Sequence, residues 1–475
     1  MAPPDPAAAS TPARADHSPA LGPSTPQPLQ PSMVSVETSR MRSSSSRAPA
    51  WWTCPAPPAR APCRSCSLSA QLEDDGHPCS RCGRSGGVHC QDLSNGQEDK
   101  VLRLSKALYG LRQAPRAWNA KLDQALRVLG FKHSASEHVV YARGRGATRL
   151  LVGVYVDDLV ITGNDDNEIS RFKQEMKAQF KMSDLGLLSF YLGIEVNQRS
   201  GGICLSQSAY ARKVLEKAGL STCNPCHTPM EPRFKLSKIS AAPPADATEY
   251  RGIVGSLRYL VHTRPDIAFA VGYVSRFMES PTTEHLAAVK RILRYIAGTI
   301  DYGVHYKKVE AEAKLLGFSD ADMGGDIDTR KSTTGVLFFF GSCAVSWQSQ
   351  KQKVVALSSC ESEYIAGSTA ACQGLWLSQL LSELKCEQRK QFKLKMDSQS
   401  AIALSKNPVF HERSKHIDVR FHFIRDCLEN GLLDVDHVRT EEQLADILTK
   451  PLGRDKFCEL RVQLGVGRIV GEHQV

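Results

Sequence analysis

Apolar residues between positions 150 and 162 form two short runs that predict a β-hairpin. The runs cover 150–155 and 159–162, and Val156, Asp157 and Asp158 separate them. Short apolar runs on either side of a polar turn are typical of two paired strands. The pattern therefore places two adjacent carboxylates at the tip of a hairpin, outside the core.

Further periodic segments predict a mixed α/β chain after residue 100. Apolar residues at helical spacing follow the capping candidates 164–166, and they are Ile169, Phe172, Met176 and Phe180. Alternation predicts one strand over 190–196 and a return strand after the glycines at 201 and 202. Helices are predicted from Ser208 to the cap candidate Gly219, over 250–263 and over 285–298, with a linker over 307–313.

The C-terminal part alternates strand and helix patterns in the same way. Strands are predicted after residue 315, over 335–341, over 343–347 and over 393–397. Ser358 and Glu361 have the spacing of a capping box, which predicts the start of a helix. Thr440 and Gln443 have the same spacing and predict a second helix, which Pro451 ends.

The first 100 residues differ from the rest in composition. They hold 15 of the 25 prolines, and nine basic residues balance nine acidic ones. A segment with so little apolar pattern cannot bury enough surface to offset the entropy of ordering it, so we expect residues 1–100 to be disordered. Cys63, Cys66, Cys79 and Cys82 form two C-x2-C pairs within 54–90. A small zinc module is one interpretation, but the gap of twelve residues between the pairs is short for one and favours coincidence.

Charge and hydropathy narrow the class of protein. The chain of 475 residues carries a net charge of +10, all of it contributed by residues 101–475, which is compatible with a polyanionic partner. No apolar run is long enough for a membrane helix, and no secretory signal is visible, so we expect an intracellular protein. The 15 cysteines do not have the pattern of a disulfide scaffold.

Four long segments occur in one order around the hairpin acids. They are KALYGLRQAPRAW at 106–118, MSDLGLLSFYLGIE at 182–195, VGSLRYL at 254–260 and TRPDIAFAV at 263–271. Together with the hairpin they resemble the reverse transcriptase of copia-type LTR retrotransposon Pol polyproteins, over 101–475. The resemblance implies that Tyr155, Asp157 and Asp158 belong to the polymerase metal site. It also implies that Gln113 and Pro115 support the nucleotide and the RNA template.

One element of such a polymerase is missing from the sequence. The family takes a third metal carboxylate from an earlier palm strand, and no aspartate upstream of position 106 lies in an apolar strand. Two carboxylates leave the metal ions without part of their charge compensation. We therefore expect the polymerase to be inactive and the remaining palm strands to have an exposed edge.

A second set of acids lies in the C-terminal part. Asp320, Glu363, Asp397 and Asp446 stand on predicted strand, helix, strand end and helix, and this order resembles the ribonuclease H domain of the same polyproteins. The resemblance implies that the four acids hold Mg2+ or Mn2+ and hydrolyse the RNA strand of an RNA–DNA hybrid. Asp322 and Glu361 lie close in sequence and are the residues most easily confused with them. His416 also matches the family, but its role stays open between proton transfer and the start of a helix.

The sequence thus predicts an α/β and α+β chain with five parts. They are a disordered stretch at 1–100, a partial reverse transcriptase with palm and thumb at 101–235, a connecting helical region and linker at 236–313, a ribonuclease H-like mixed-sheet domain at 314–455 and a C-terminal tail at 456–475. The leading function is that of an RNA–DNA hybrid ribonuclease. The alternatives are an RNA-directed DNA polymerase completed by a partner, an inert remnant, and a zinc-dependent nucleic-acid binder.

Overall fold

The structure, a computed structural model, describes residues 35–41, 111–308, 313–406 and 417–469, with the backbone alone for 35–41. The fold is mixed α/β, as predicted. Within the described residues ten α-helices form: α1 Ala114–Val128, α2 Asp166–Gln179, α3 Ser208–Lys217, α4 Ala247–Leu260, α5 Ala268–Val274, α6 Thr283–Ala297, α7 Ser359–Lys385, α8 Gln399–Lys406, α9 Phe423–Glu429 and α10 Arg454–Gln463.

The strands of the described chain build three separate sheets. They are β1 Ser35–Met41, β2 Lys132–His133, β3 Val140–Arg143, β4 Leu150–Tyr155, β5 Asp158–Gly163, β6 Met182–Leu187, β7 Phe190–Tyr191, β8 Ile194–Arg199, β9 Gly202–Ser206, β10 Tyr302–Lys307, β11 Leu315–Ala321, β12 Thr333–Phe340, β13 Cys343–Lys351, β14 Phe392–Met396, β15 Leu433–His437 and β16 Val466–Arg468. Their orders are β2-β3-β4-β5-β1-β6, β16-β10-β9-β8-β7 and β13-β12-β11-β14-β15.

The first sheet contains the predicted hairpin and packs against helices α1 and α2. Every second residue of β4 and β5 is buried, and Phe172 of α2 and Leu126 of α1 lie in the same core. Asp165 caps α2, because its side chain accepts from the backbone N–H of Asn167 at 2.9 Å. The hairpin and its following helix are confirmed.

Strand β1 lies in the middle of this sheet, between β5 and β6. It pairs antiparallel with both, so that Thr38 lies opposite Val160 on one side and Gly186 on the other. The prediction of disorder was therefore wrong for 35–41. The palm strands were predicted to have an exposed edge, and β1 covers the side of β5. A strand can form from a weakly apolar segment when two neighbouring strands supply hydrogen bonds on both sides. The rest of 1–110 lies outside the described residues.

The second sheet corrects two predictions. The segment 190–196 is not one strand, because Leu192 and Gly193 adopt φ values of 51° and 80° and turn the chain between β7 and β8. Strand β10 ends at Lys307, the first residue of the predicted linker. The predicted tail is folded as far as it is described, since α10 precedes β16, and β16 pairs with β10.

The third sheet is mixed, as predicted for 314–455. Strands β11, β12 and β13 are antiparallel neighbours, whereas β14 is parallel to both β11 and β15. Helix α7 crosses this sheet and begins at the predicted cap, where the Ser358 hydroxyl accepts from the N–H of Glu361 at 3.2 Å. The helix predicted after Thr440 is instead two short 3-10 helices, Thr440–Glu442 and Leu444–Leu448, and Gln443 itself caps the second.

A continuous apolar core joins the second and third sheets. Helices α4 to α6 share it with Phe318 of β11, Leu337 of β12 and Leu460 of α10. The predicted boundaries near 235 and 313 stay predictions, but the core crosses both of them. None of the described helices is both long enough and apolar enough to cross a membrane.

Candidate active site

Three acidic side chains from three elements meet at one edge of the third sheet. Asp320 lies near the end of β11, Asp397 directly follows β14, and Glu363 lies in the second turn of α7. Because β11 and β14 are parallel neighbours, their carboxyl ends lie side by side. One carboxylate oxygen from each acid lies within 4.8 Å of the other two. The structure thus brings together three of the four acids predicted for this site.

The surroundings of these acids leave part of their charge without a partner. Glu363 Oε1 accepts from the backbone N–H of Ala321 at 3.0 Å, and the Thr449 hydroxyl donates to Asp320 Oδ2. Glu363 Oε2 is buried and has no hydrogen-bond partner among the described residues. A buried carboxylate oxygen without a donor is costly, so the donor set of this site fits a cation that would contact Glu363 Oε2.

The crowding of negative charge changes the acidity of the site. Burial, and after it the charges of Asp320 and Asp397, raise the pKa of Glu363 to about 9. Burial and the charge of Asp320 also raise the pKa of Asp397. A bound divalent cation would reverse both effects, because it stabilises the ionised carboxylates. A buried set of oxygen ligands alone fits Mg2+ or Mn2+ and does not fit a thiolate-preferring metal.

The fourth predicted acid, Asp446, lies beside the set in the 3-10 helix Leu444–Leu448. Burial and the charge of Asp320 raise its pKa to about 6. Its Oδ1 lies 2.7 Å from Nζ of Lys450. Although burial opposes it, the carboxylates of Asp320 and Asp446 raise the pKa of Lys450. Lys450 is the site residue that the sequence analysis missed, and its only signal was a lysine four positions after Asp446.

Asp322 and Glu361 have other contacts. Asp322 Oδ1 accepts from the backbone N–H of Thr333, and burial raises the pKa of Asp322 to about 6. Glu361 Oε2 accepts from the backbone N–H of Leu357 at 2.7 Å, ahead of the first turn of α7. Both side chains hold loops of their own, and neither belongs to the group of three acids.

The hairpin acids of the first sheet form a second, smaller site. Tyr155 pairs with Asp158 across a turn of Val156 and Asp157, and Val156 has φ 54°. Tyr155 is exposed, and both aspartates are half-buried. Among the described side chains, no third acid, histidine or cysteine joins Asp157 and Asp158 in a metal-binding group.

Helix α1 lies next to this hairpin. Trp118 donates its indole N–H to the carbonyl of Val156 at 2.7 Å. Gln113 and Pro115 lie at the start of α1, about one turn before Trp118, and both are exposed. The arrangement places the segment predicted to support nucleotide and template beside the predicted polymerase acids. The cysteines Cys63, Cys66, Cys79 and Cys82, and also His416, lie outside the described residues.

Sequence comparisons identify relatives along most of the chain. Residues 90–232 match the family "Reverse transcriptase (RNA-dependent DNA polymerase)". The Retrovirus-related Pol polyprotein from transposon RE1 of Arabidopsis thaliana is 44% identical over 369 residues, which are 78% of this chain and 25% of the relative. The corresponding polyprotein from transposon TNT 1-94 of Nicotiana tabacum is 42% identical over 76% of this chain and 28% of its own length.

A shorter relative is covered almost completely. The Putative transposon Ty5-1 protein YCL074W of Saccharomyces cerevisiae is 33% identical over 273 residues, which are 57% of this chain and 88% of the relative. The chain spans about a quarter of the length of the long Pol polyproteins. From these matches and the ordered motifs, the chain belongs to the family of copia-type retrotransposon Pol polyproteins and contains a reverse transcriptase domain.

Proposed function

We propose that the chain hydrolyses the RNA strand of an RNA–DNA hybrid with Mg2+ or Mn2+, at the site formed by Asp320, Glu363, Asp397 and Asp446. The observation that carries this proposal is the approach of three carboxylates within 4.8 Å, with an unpartnered oxygen on Glu363. A set of four carboxylates suits a pair of divalent cations.

The protein residues divide the work between holding cations and balancing charge. When bound, the cations supply a nucleophilic water and stabilise the leaving oxygen of a phosphodiester. Asp320, Glu363 and Asp397 would hold them from β11, α7 and the end of β14, and because their carboxylates already lie close together, little rearrangement would be needed. The ammonium group of Lys450 offsets the negative charge of Asp446 on the remaining side, 2.7 Å away.

The rest of the chain is suited to a nucleic-acid substrate. The net charge of +10 is contributed entirely by residues 101–475. Basic side chains contact phosphates without regard to base sequence, and this contact weakens with salt. Preference for the RNA strand would come from contacts to the ribose 2′-hydroxyl.

Replacement of Asp397 tests the proposal in the full chain. Asp397→Asn keeps the size of the side chain and removes a negative charge from the site. We expect cleavage of the RNA in a labelled hybrid to fall by at least about 100-fold, which corresponds to a loss of about 2.7 kcal/mol of transition-state stabilisation.

Glu361→Gln is the matched control, because Glu361 lies two residues from Glu363 on the same helix. The amide oxygen of the substituted side chain can still accept from the backbone N–H of Leu357. This variant should cut at nearly the parental rate. Equal loss in both variants would show that the measurement reports folding and not the site. A parent that cuts, together with an equally fast Asp397→Asn variant, would place the reaction elsewhere.

A further inference from the structure

The fourth acid of the candidate active site already has a positive charge beside it. Asp446 Oδ1 lies 2.7 Å from Nζ of Lys450. The other three acids, Asp320, Glu363 and Asp397, form the group whose oxygens lie within 4.8 Å of one another. Among the described side chains, Asp446 is not a member of that group. The acids of the site therefore divide into a set of three and a fourth that is ion-paired with a lysine.

The ammonium group of Lys450 acts on all four acids. Burial opposes its charged form, yet the carboxylates of Asp320, Asp446 and Asp397 raise the pKa of Lys450. Burial raises the pKa of Glu363, and the charge of Lys450 offsets part of this rise. Lys450 thus supplies one positive charge to the site, from the side on which Asp446 lies.

The backbone of Lys450 is fixed, whereas its side chain reaches water. Its backbone N–H donates to the carbonyl of Asp446 at 3.2 Å. The preceding residue, Thr449, donates its hydroxyl to Asp320 and packs against Gly335 of β12, where a Cβ would lie 2.7 Å from Thr449 Cγ2. The side chain of Lys450 is 39% exposed, against 7% for that of Asp446. The ammonium can therefore leave the carboxylate through rotation of its own side chain, without a change of the backbone.

A carboxylate that is ion-paired with a lysine resists a further cation, because the two positive charges repel each other. We propose that Lys450 occupies Asp446 in place of the second divalent cation. The first cation binds at Asp320, Glu363 and Asp397 while the ammonium stays on Asp446. The ammonium then moves toward solvent when Asp446 takes up the second cation.

This inference rests on the proposed function, in which four acids hold a pair of cations, and it adds the order in which the cations bind. With one divalent cation and the ammonium in place, three positive charges face four carboxylates. With two divalent cations and the ammonium in solvent, the charges balance. Lys450 would thus limit repulsion among the acids before the second cation binds, and it would make the second binding step weaker than the first.

Binding of Mn2+ without nucleic acid tests this inference. The full chain is titrated with Mn2+, and free Mn2+ is measured by its electron paramagnetic resonance signal. Lys450→Met removes the ammonium and keeps a side chain of similar shape. An opposite charge within about 4–6 Å changes the proton affinity of a carboxylate by about 10-fold or more. We therefore expect this variant to narrow the gap between the first and the second Mn2+ affinity by about 10-fold.

Three further variants assign the effect. Asp446→Asn should abolish the second class of binding, both alone and combined with Lys450→Met. Lys450→Arg keeps the positive charge and should keep the gap. Lys456→Met is the matched control, because Nζ of Lys456 lies 3.2 Å from Glu459, an acid outside the site. This control should leave both affinities unchanged.

Two results would overturn the inference alone. One is an unchanged gap in Lys450→Met, and the other is a tightening of both classes by the same factor, which is the effect of a distant charge. A parent that binds Mn2+ in the expected pattern but cuts no hybrid would contradict the proposed function alone, because the titration contains no nucleic acid. A parent that binds no Mn2+ would contradict both.

Discussion

At the scale of single residues, the chemistry of this protein depends on how few donors surround the buried acids. Asp320, Glu363 and Asp397 share a space in which the Ala321 N–H and the Thr449 hydroxyl are donors to the set. Lys450 compensates from the side of Asp446. The ionised carboxylates of this cluster repel one another, and the cluster is stabilised by protons or by divalent cations.

The stability of the metal-free protein should therefore fall as pH rises. The folded protein holds protons that the unfolded chain has lost, because the pKa of Glu363 rises from 4.5 to about 9 and that of Asp446 from 3.8 to about 6. A group whose pKa is higher in the folded protein stabilises the fold fully at pH values below its unfolded pKa. That contribution is lost as the pH rises through its folded pKa.

Thermal unfolding from pH 4.5 to pH 9 in EDTA measures this effect. We expect the melting temperature to decline across the range, and Mg2+ to remove most of the decline by binding the ionised acids. Glu363→Gln should flatten the EDTA curve. A melting temperature that rises with pH in EDTA would contradict the account of the cluster.

At the scale of elements, two unlike contacts hold the first sheet in place. Strand β1 fills the position between β5 and β6, and the end of α7 holds the loop after β2. In that loop, Glu383 accepts from the backbone N–H of Ala135 at 2.9 Å and from the hydroxyl of Ser136 at 2.7 Å. Trp376 also donates to the carbonyl of Ser136 at 3.1 Å.

Loss of β1 should loosen the palm strands. Thr38→Pro removes a backbone donor in the middle of a strand paired on both sides, and proline is tolerated only at edges. We expect amide exchange of β5, Asp158–Gly163, to become faster, while that of β12 stays the same. Thr38→Val is the control and should leave both rates unchanged. Equal protection of β5 in the proline variant would mean that β1 contributes little to the sheet.

Glu383 should matter for the contact between α7 and the first sheet. Hydrogen bonds from Ser134, Ser136 and other donors outweigh burial and lower the pKa of Glu383 to about 2. A group whose pKa is lower in the folded protein stabilises the fold at pH values above its unfolded pKa. This contribution is lost as the pH falls toward 2. Glu383→Ala should therefore speed amide exchange in 132–143 at pH 7, with Glu387→Ala as a control. Little change at pH 7 would contradict this role.

The elements also show what a single sequence can predict. Helix α2 and the hairpin were predictable, because their apolar periods and caps are local. Strand β1 was not, since the segment 35–41 becomes a strand only beside partners more than 100 residues away in the chain. The turn at Leu192 and Gly193 interrupts a regular alternation. The spacing of Thr440 and Gln443 is that of a capping box at the start of an α-helix, but the short 3-10 helix Leu444–Leu448 follows instead.

The candidate site, too, could be predicted only in part from the sequence. The four acids were predicted through family resemblance, whereas their spacing alone gave no distance between them. Lys450 was missed, because it acts through a contact with Asp446 on the preceding turn. Trp118 was part of a family motif, but its hydrogen bond to Val156 was not predicted.

At the scale of the whole molecule, one core joins the connecting helices to the third sheet and to α10. Cutting the chain near 313 would expose this core, so activity is best measured on the full chain. The first sheet has its own core around Phe172 and Leu126. The two halves can therefore differ in function, although they belong to one polyprotein family.

The full chain should not extend a DNA primer on an RNA template. Asp157 and Asp158 supply two carboxylates, and no third ligand joins them among the described side chains. Primer extension with Mg2+ or Mn2+ should give no product above that of the Asp157→Asn variant. Extension by the parent that Asp157→Asn abolishes would contradict this expectation and favour the polymerase as the function.

The most direct test of the central claim is the fate of each strand in an RNA–DNA hybrid. The full chain is incubated with Mg2+ or Mn2+ and a hybrid in which both strands carry different labels. The account predicts that the RNA strand is cut, that the DNA strand stays intact and that EDTA stops the reaction. If the folded protein leaves the RNA strand intact with both metals, or if it cuts the DNA strand, the account is contradicted.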